Sequence, residues 1–308
     1  MYHDLLSRHF RSLIGALCVM ALGGCDVAKF TADSTTGLFA RAAPAFESYW
    51  DYDLAGEAVP ATIVQLEGIL RVVPDNESIL EQLSQAYIAY AYGWVEVEVE
   101  EDEFEGEYGE ADEQRNRARI MYLRAKDLTR DRIRLLHPSV DQAVAGSVED
   151  LEAWLNDEFE EKSDAEMLFW HGYAWGSYIN TAKDDMEAIA NLAYAKAFVA
   201  RSIELDPDYY NASGYTFMGV AIASELAGDM DQAKDYFEKA MAATEGRALS
   251  NQVNMARYYA VKTGNRELFD KLLNEVMDAD DPLPEARLAN RMARERAELY
   301  IENADQLF

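Results

Sequence analysis

The stretch GYTFMGVAIASELAGDMDQAKDYFEKAM, Gly214 to Met241, decides the fold. A bulky Phe217 is followed by the apolar-small pair Val220 and Ala221. Gly228-Asp229 makes a turn, and Ala233, Phe237 and Ala240 follow on a second apolar-periodic segment. Small residues at those places let two helices approach closely, and the aromatic fills the space they leave. The spacing predicts a helix hairpin.

Weaker copies of the same order recur. Leu66, Ile69 and Pro74 end one segment, and Leu80, Leu83, Ser84 and Tyr87 open the next. Ala195, Val199, Ser202 and Pro207 fit the second half of a unit, and Gly264-Asn265 precedes Phe269, Leu273 and Val276. Their spacing drifts, so the reading is an all-α body: a compact array of antiparallel helix pairs with degenerate tetratricopeptide-like repeats. A single helical-repeat domain is expected over residues 44–308. Strand alternation occurs once, in VEVEVE at Val95 to Glu100, and the prolines read as separators between segments.

That body carries an unusual charge. The 308 residues hold a formal net charge of −29, which opposes nucleic acid and anionic membrane surfaces. With 49% hydrophobic residues the chain is nevertheless globular rather than a solvated acidic tail. The acids concentrate in residues 95–113, VEVEVEEDEFEGEYGEADE, and an arginine-rich segment follows over 115–134. The run lacks the ligand spacing and fixed glycine of a calcium loop. It reads as a solvated acidic insertion between helices, partly neutralised by the arginines after it.

The amino terminus has a different character. Arg8 and Arg11 precede the ten-residue apolar run Leu13 to Leu22, and Gly23, Gly24 and Cys25 follow. Ten residues are too few to span a bilayer, which takes about 20. Positive start, short apolar run and small residues describe a secretory signal over residues 1–24. The order LGGC matches a lipoprotein signal, with Cys25 as the lipid attachment residue and 25–43 as a tether of little structure. The membrane is then held only through the N-terminal lipid. Asp26 favours retention at the inner membrane, on its periplasmic side. The other cysteine, Cys18, leaves with the signal.

Catalytic inventory is thin. Two of the four histidines, His3 and His9, fall in the signal, leaving His137 and His171. No nucleophile motif, glycine-rich phosphate loop or His/Cys metal spacing is present, so no catalytic residue, metal or cofactor is assigned. The chain reads as a non-enzyme. Its most unusual segment is MLFWHGYAWGSYINTAKDD, residues 167–185, where Trp170, Tyr173, Trp175 and Tyr178 crowd nearly every face of one helix. Gly172 and Gly176, four apart, point to close backbone approach. Two compatible readings stand: an aromatic-lined cavity that takes an apolar ligand, also lined by Tyr215 and Phe217, and ordinary core packing.

Three segments carry a family resemblance. Trp170 to Phe217, WHGYAWGSYINTAKDDMEAIANLAYAKAFVARSIELDPDYYNASGYTF, is one. Glu245 to Asp281, EGRALSNQVNMARYYAVKTGNRELFDKLLNEVMDADD, and Glu285 to Phe308, EARLANRMARERAELYIENADQLF, are the others. Together they resemble the TatT component family, periplasmic lipoproteins associated with tripartite ATP-independent periplasmic (TRAP) transporters. The chain departs from that pattern in the length of its acidic insertion and in Tyr209-Tyr210-Asn211, where a glycine-rich turn is expected. The resemblance implies a non-enzymatic accessory protein whose partner is the transporter's periplasmic substrate-binding protein. It also implies an apolar or carboxylate-containing ligand and is compatible with a homo-oligomer. A general cell-envelope scaffold lipoprotein is the alternative.

Overall fold

The computed structural model describes residues 24–308. Residues 1–23 of the expected signal 1–24, and the side chains of Cys25 and Asp26, lie outside the described residues. Among those residues every regular element is a helix and there is no strand, so the chain is all-α.

The first helix, α1, spans Gly24–Glu47. The tether reading of 25–43 missed it. The segment is rich in Ala, the best helix former, so a small-residue composition does not oppose a helix. Pro44 sits inside it. Helix α2 (Tyr52–Val72) opens on an Asp51 cap that accepts from the Leu54 N–H at 3.0 Å. It buries the stripe Ala55, Val59, Ile63, Leu66 and Leu70, and it carries Pro60 internally. Two prolines thus lie within helices and not between them. Helix α3 (Glu77–Tyr90) runs into a wide π-helical turn, Ala91–Val95, and straight on into α4 (Glu96–Glu105).

Val95 to Glu100 is therefore helical, not a strand. Val97 and Val99 are buried, and Glu96 and Glu100, four apart, share a further face that meets arginine and tyrosine donors. A helix accepts this alternating pattern because it is packed on several sides. The acidic run 95–113 is accordingly not one solvated excursion. Its first half is packed helix, and a turn at Gly106, with φ +82°, leads into the 29-residue α5 (Tyr108–Leu136). The arginines of α5 do neutralise part of the run: Arg115 pairs with Glu103, and Arg117 lies 3.7 Å from Glu98.

The middle of the chain holds α6 (Val140–Val144), α7 (Val148–Glu158), α8 (Ala165–Thr181), α9 (Met186–Ala190) and α10 (Leu192–Leu205). Their apolar faces meet in one core that includes Leu151, Phe159, Leu168, Trp175 and Phe198. Then come α11 (Tyr209–Ser224) and α12 (Met230–Ala243), joined through the Asp229 cap. They form the hairpin expected from the sequence. Ala233, Phe237 and Ala240 are buried, and a Cβ on Gly219 would stand 3.0 Å from the Phe237 ring.

The last elements are α13 (Ser250–Asn254), a second π-helical turn at Met255–Ala260, α14 (Arg266–Asp278), α15 (Arg287–Glu302) and α16 (Ala304–Leu307). Helix α15 returns to the start of the body. Leu288 and Met292 pack with Ala55, and a Cβ on Gly93 would fall 2.7 Å from Met292 Cε. Arg287 Nη1 donates to the Ser48 carbonyl at 3.2 Å. The array thus closes on itself, and residues some 200 positions apart in sequence face one another.

Candidate functional site: an aromatic interior with a charged wall

Closure turns several side chains inward. Phe169, Trp170 and Tyr173 share one face of α8. Opposite them, Tyr209 and Tyr210 begin α11 in a turn where Tyr210, Asn211 and Ala212 all hold positive φ (47°, 57° and 58°). That backbone puts the Tyr210 ring 4.7 Å from Trp170 and 5.8 Å from Phe169, centroid to centroid. Trp170 Nε1 donates to the Tyr209 hydroxyl at 2.9 Å.

Tyr210 is packed among rings, and burial pushes its phenol up to about 12, yet it keeps 41% of its surface accessible. The ring is thus packed on aromatic neighbours while keeping contact with solvent. Tyr92, Tyr173 and Tyr258 behave alike. Each is half-buried, and burial is the largest cause that raises its phenol. The charges acting on them link the group: Tyr173 feels Tyr92, Glu96 and Tyr210, and Tyr258 feels Glu96, Glu100, Arg257 and Arg296. Tyr92 comes from the first π turn, and Arg257 and Tyr258 come from the second. Single π turns re-aim side chains within a helix and recur at functional sites.

The wall between the two π turns is charged. Arg296 of α15 donates from Nη1 to Glu100 at 2.6 Å and from Nη2 to Glu96 at 3.1 Å and to the Tyr92 carbonyl at 2.6 Å. Its guanidinium carbon stands 4.5 Å from the Tyr92 ring centroid. Tyr300 donates to Glu100 at 2.8 Å, and Tyr122 donates to Glu96 at 2.9 Å. Burial raises the Glu96 carboxyl, and Arg296 opposes that rise. Both carboxylates are therefore held by two kinds of donor, as buried charge requires.

The six aromatic residues singled out from sequence separate into groups. Trp170 and Tyr173 border the interior. Phe217 lies 6.0 Å from Tyr173 and seats its ring where a Gly176 Cβ would stand, which explains that glycine. Trp175 is only 5% exposed and packs on His171, Tyr194 and Phe198 in the core behind α8. Tyr178 is half-buried on that same side, under the charges of Arg119 and Lys126. Tyr215 pairs with Tyr236 at 6.2 Å. The other glycine, Gly172, lets α10 approach: a Cβ there would meet Val199 and the Ala195 carbonyl at 2.6 and 2.8 Å.

Residues that the sequence reading did not single out are Tyr92, Glu96, Glu100, Tyr210, Arg257, Tyr258 and Arg296. Their alignment depends on two π turns and a left-handed turn, which leave no periodic signal. Tyr210 alone had a hint, as an aromatic where glycine was expected.

Neither histidine is set up for catalysis. His171 is fully buried, burial pushes it down to about 3, and Nδ1 meets Thr129 Oγ1 at 2.9 Å. The Thr129 hydroxyl already donates to a backbone carbonyl of its own helix, so the imidazole is the donor. His137 contacts Glu158 at 2.9 Å and packs on Phe159. Among the described residues no group of three or more His, Cys, Asp or Glu is arranged to hold a metal. Nor is any described helix long and apolar enough to cross a membrane.

A hollow of about 380 Å³ lies where α15 meets the chain around Trp50. Two of its three arginines have local partners: Arg287 pairs with Asp281 at 2.6 Å and Arg294 donates to the Asp280 carbonyl.

No curated protein matches the chain. A family model described as the TRAP transporter T-component matches residues 49–308, which is the whole closed body and every residue of its charged and aromatic interior. The chain therefore belongs to the TRAP transporter T-component family, and it is an accessory component of such a transporter and not a member of a known enzyme family.

Proposed function

We propose that the protein is a lipid-anchored accessory lipoprotein of the cell envelope. It binds the transporter's periplasmic substrate-binding protein and admits a ligand with an apolar part to the aromatic interior. The observation that carries this is the family match over residues 49–308 together with accessible, desolvated rings inside the body. Cys25 is the anchor, and Asp26 favours the inner membrane. The envelope location agrees with the family.

The test is titration calorimetry of the protein with the substrate-binding protein of the same transporter, with and without that partner's ligand. Heat and co-elution at micromolar concentration are expected, with a rate of association that falls as salt rises, because the net charge of −29 steers the encounter. No heat and no co-elution would favour a general envelope scaffold instead. Intact mass of the membrane-extracted chain tests the anchor: an unacylated N-terminus other than residue 25 would overturn it.

A further inference from the structure

Helix α1 touches α2, α3 and α15, yet none of its described side chains is buried. Helices in folded proteins are held chiefly by packing an apolar face, and α1 has such a face without a cover. Phe39 and Phe46, seven apart, share it, with Leu38 beside them, and all three are exposed, Leu38 by 68%. Ser34, Gly37 and Arg41 fall on the opposite side of the helix.

The end of α1 leads to the hollow of about 380 Å³ beside α15, and Arg287 of that helix donates to the Ser48 carbonyl just past α1. Trp50 stands at this hollow with 62% of its surface exposed. Arg291 also lines it, and it is exposed with no hydrogen bond or ion pair to a described residue. Glu295, one turn on, is an acid on which its charge acts. The Asp280 carboxylate is equally unpaired among the described residues, because Arg294 takes only the Asp280 carbonyl. Guanidinium groups suit phosphate, and tryptophan favours the boundary between water and acyl chains.

These two segments differ in charge from the chain as a whole. Residues 24–50 hold three acids and two bases, and residues 280–294 hold three of each, in a protein of net charge −29. They lack the acidity that elsewhere repels phosphate headgroups. Cys25 lies at the far end of α1, about 30 Å from Phe46 along the helix at about 1.5 Å per residue. Acyl chains on Cys25 hold that end at the lipid, and Trp50 with the arginines holds the other, so the helix between them lies along the surface. A second copy over α1 would instead bring another strongly acidic body alongside the first.

We propose that α1, Trp50 and the start of α15 dock on a phospholipid surface. Leu38, Phe39 and Phe46 enter the interface, and a zwitterionic headgroup sits in the hollow with its phosphate on Arg291 and its ammonium on Asp280. This rests on Cys25 being the anchor, as proposed above, and adds to that lipid a contact made by the protein itself.

The test uses the acylated chain in phosphatidylcholine vesicles, with and without bromine on the acyl chains as a quencher of tryptophan fluorescence. Brominated lipid is expected to quench the emission of one tryptophan of the five, and the quenching is expected to vanish in Trp50→Phe. Leu38→Glu and Arg291→Glu are each expected to reduce the quenching by about twofold or more. All three positions are exposed, so these variants keep the fold. Quenching that persists in Trp50→Phe, or that neither glutamate variant changes, overturns the proposal. So does cross-linking of Leu38→Cys chains to one another on the vesicle, which would place a second copy over α1. A chain that floats with the vesicles but shows no quenching overturns the docking and leaves the anchor standing. A chain that does not float with them overturns both.

Discussion

Three consecutive residues with positive φ, none of them glycine, are costly. Each left-handed residue with a Cβ costs roughly 1–2 kcal/mol, less for Asn. Tyr210, Asn211 and Ala212 hold that conformation together, and it is what turns the Tyr210 ring toward Trp170 and Phe169. Strain of this kind persists where the surroundings over-determine it, typically at ligand sites. Asn211 is the residue to change, because it is half-buried and makes no hydrogen bond through its side chain to a described residue. Asn211→Gly is expected to raise stability by up to about 1 kcal/mol, and Asn211→Val to lower it by more than about 1 kcal/mol. Urea unfolding of both variants checks this, and a neutral Val variant would mean the turn is not left-handed. From sequence this position was legible only as an anomaly. A glycine-rich turn was expected, and nothing in Tyr-Tyr-Asn states that the backbone keeps the glycine conformation without the glycine.

Helix by helix, legibility follows periodicity. The α11/α12 hairpin was readable because Ala233, Phe237 and Ala240 repeat with the helical period and are buried. Helix α4 was misread because Val-Glu alternation has the strand period. The pattern does not encode that Arg296, nearly 200 residues later, supplies two hydrogen bonds to the glutamates of that helix. The tertiary partner decides the element, since Glu96 and Glu100 would be intolerable on a buried helix face without it. Arg296→Met should therefore cost about 3–5 kcal/mol, the usual penalty for leaving buried carboxylates without their cation. Burial already raises Glu96, so this variant should recover part of the loss at acidic pH, where Glu96 takes up a proton. Chemical denaturation at pH 5 and pH 7.5 measures both effects. An equal loss at the two pH values would show that the Arg296 stem, and not its charge, holds the helix.

Across the whole molecule, closure brings together groups whose titrations couple folding to pH. Besides the α15 contacts, α3 and α8 are tied through α5: Arg132 reaches Glu81 at 3.0 Å and Glu166 at 3.9 Å. Burial and a hydrogen bond with Glu166 push the Glu81 carboxyl up from 4.5 to about 8, so at neutral pH it is largely a protonated partner of the Glu166 carboxylate. Below pH 4.5 folded and unfolded chains both hold this proton, and the group has no effect on stability. As pH rises, the unfolded chain releases it first while the folded chain keeps it. Stability then falls by up to about 1.4 kcal/mol per pH unit until the folded carboxyl also ionises near pH 8, after which the loss is constant. His171 acts in the opposite sense: burial pushes it from 6.5 to about 3, so its cost grows as pH falls through that window. A single melting profile would mix the two, and a difference between two proteins separates them. Glu81→Gln keeps a hydrogen-bonding side chain beside Glu166 and cannot ionise. Relative to the unaltered chain it should gain stability steadily from pH 5 to pH 8 and show little advantage at pH 4.5. Urea midpoints at half-unit pH intervals give the difference curve. A flat difference would mean that Glu81 ionises normally in the folded protein, and that Arg132 alone spans α3 and α8.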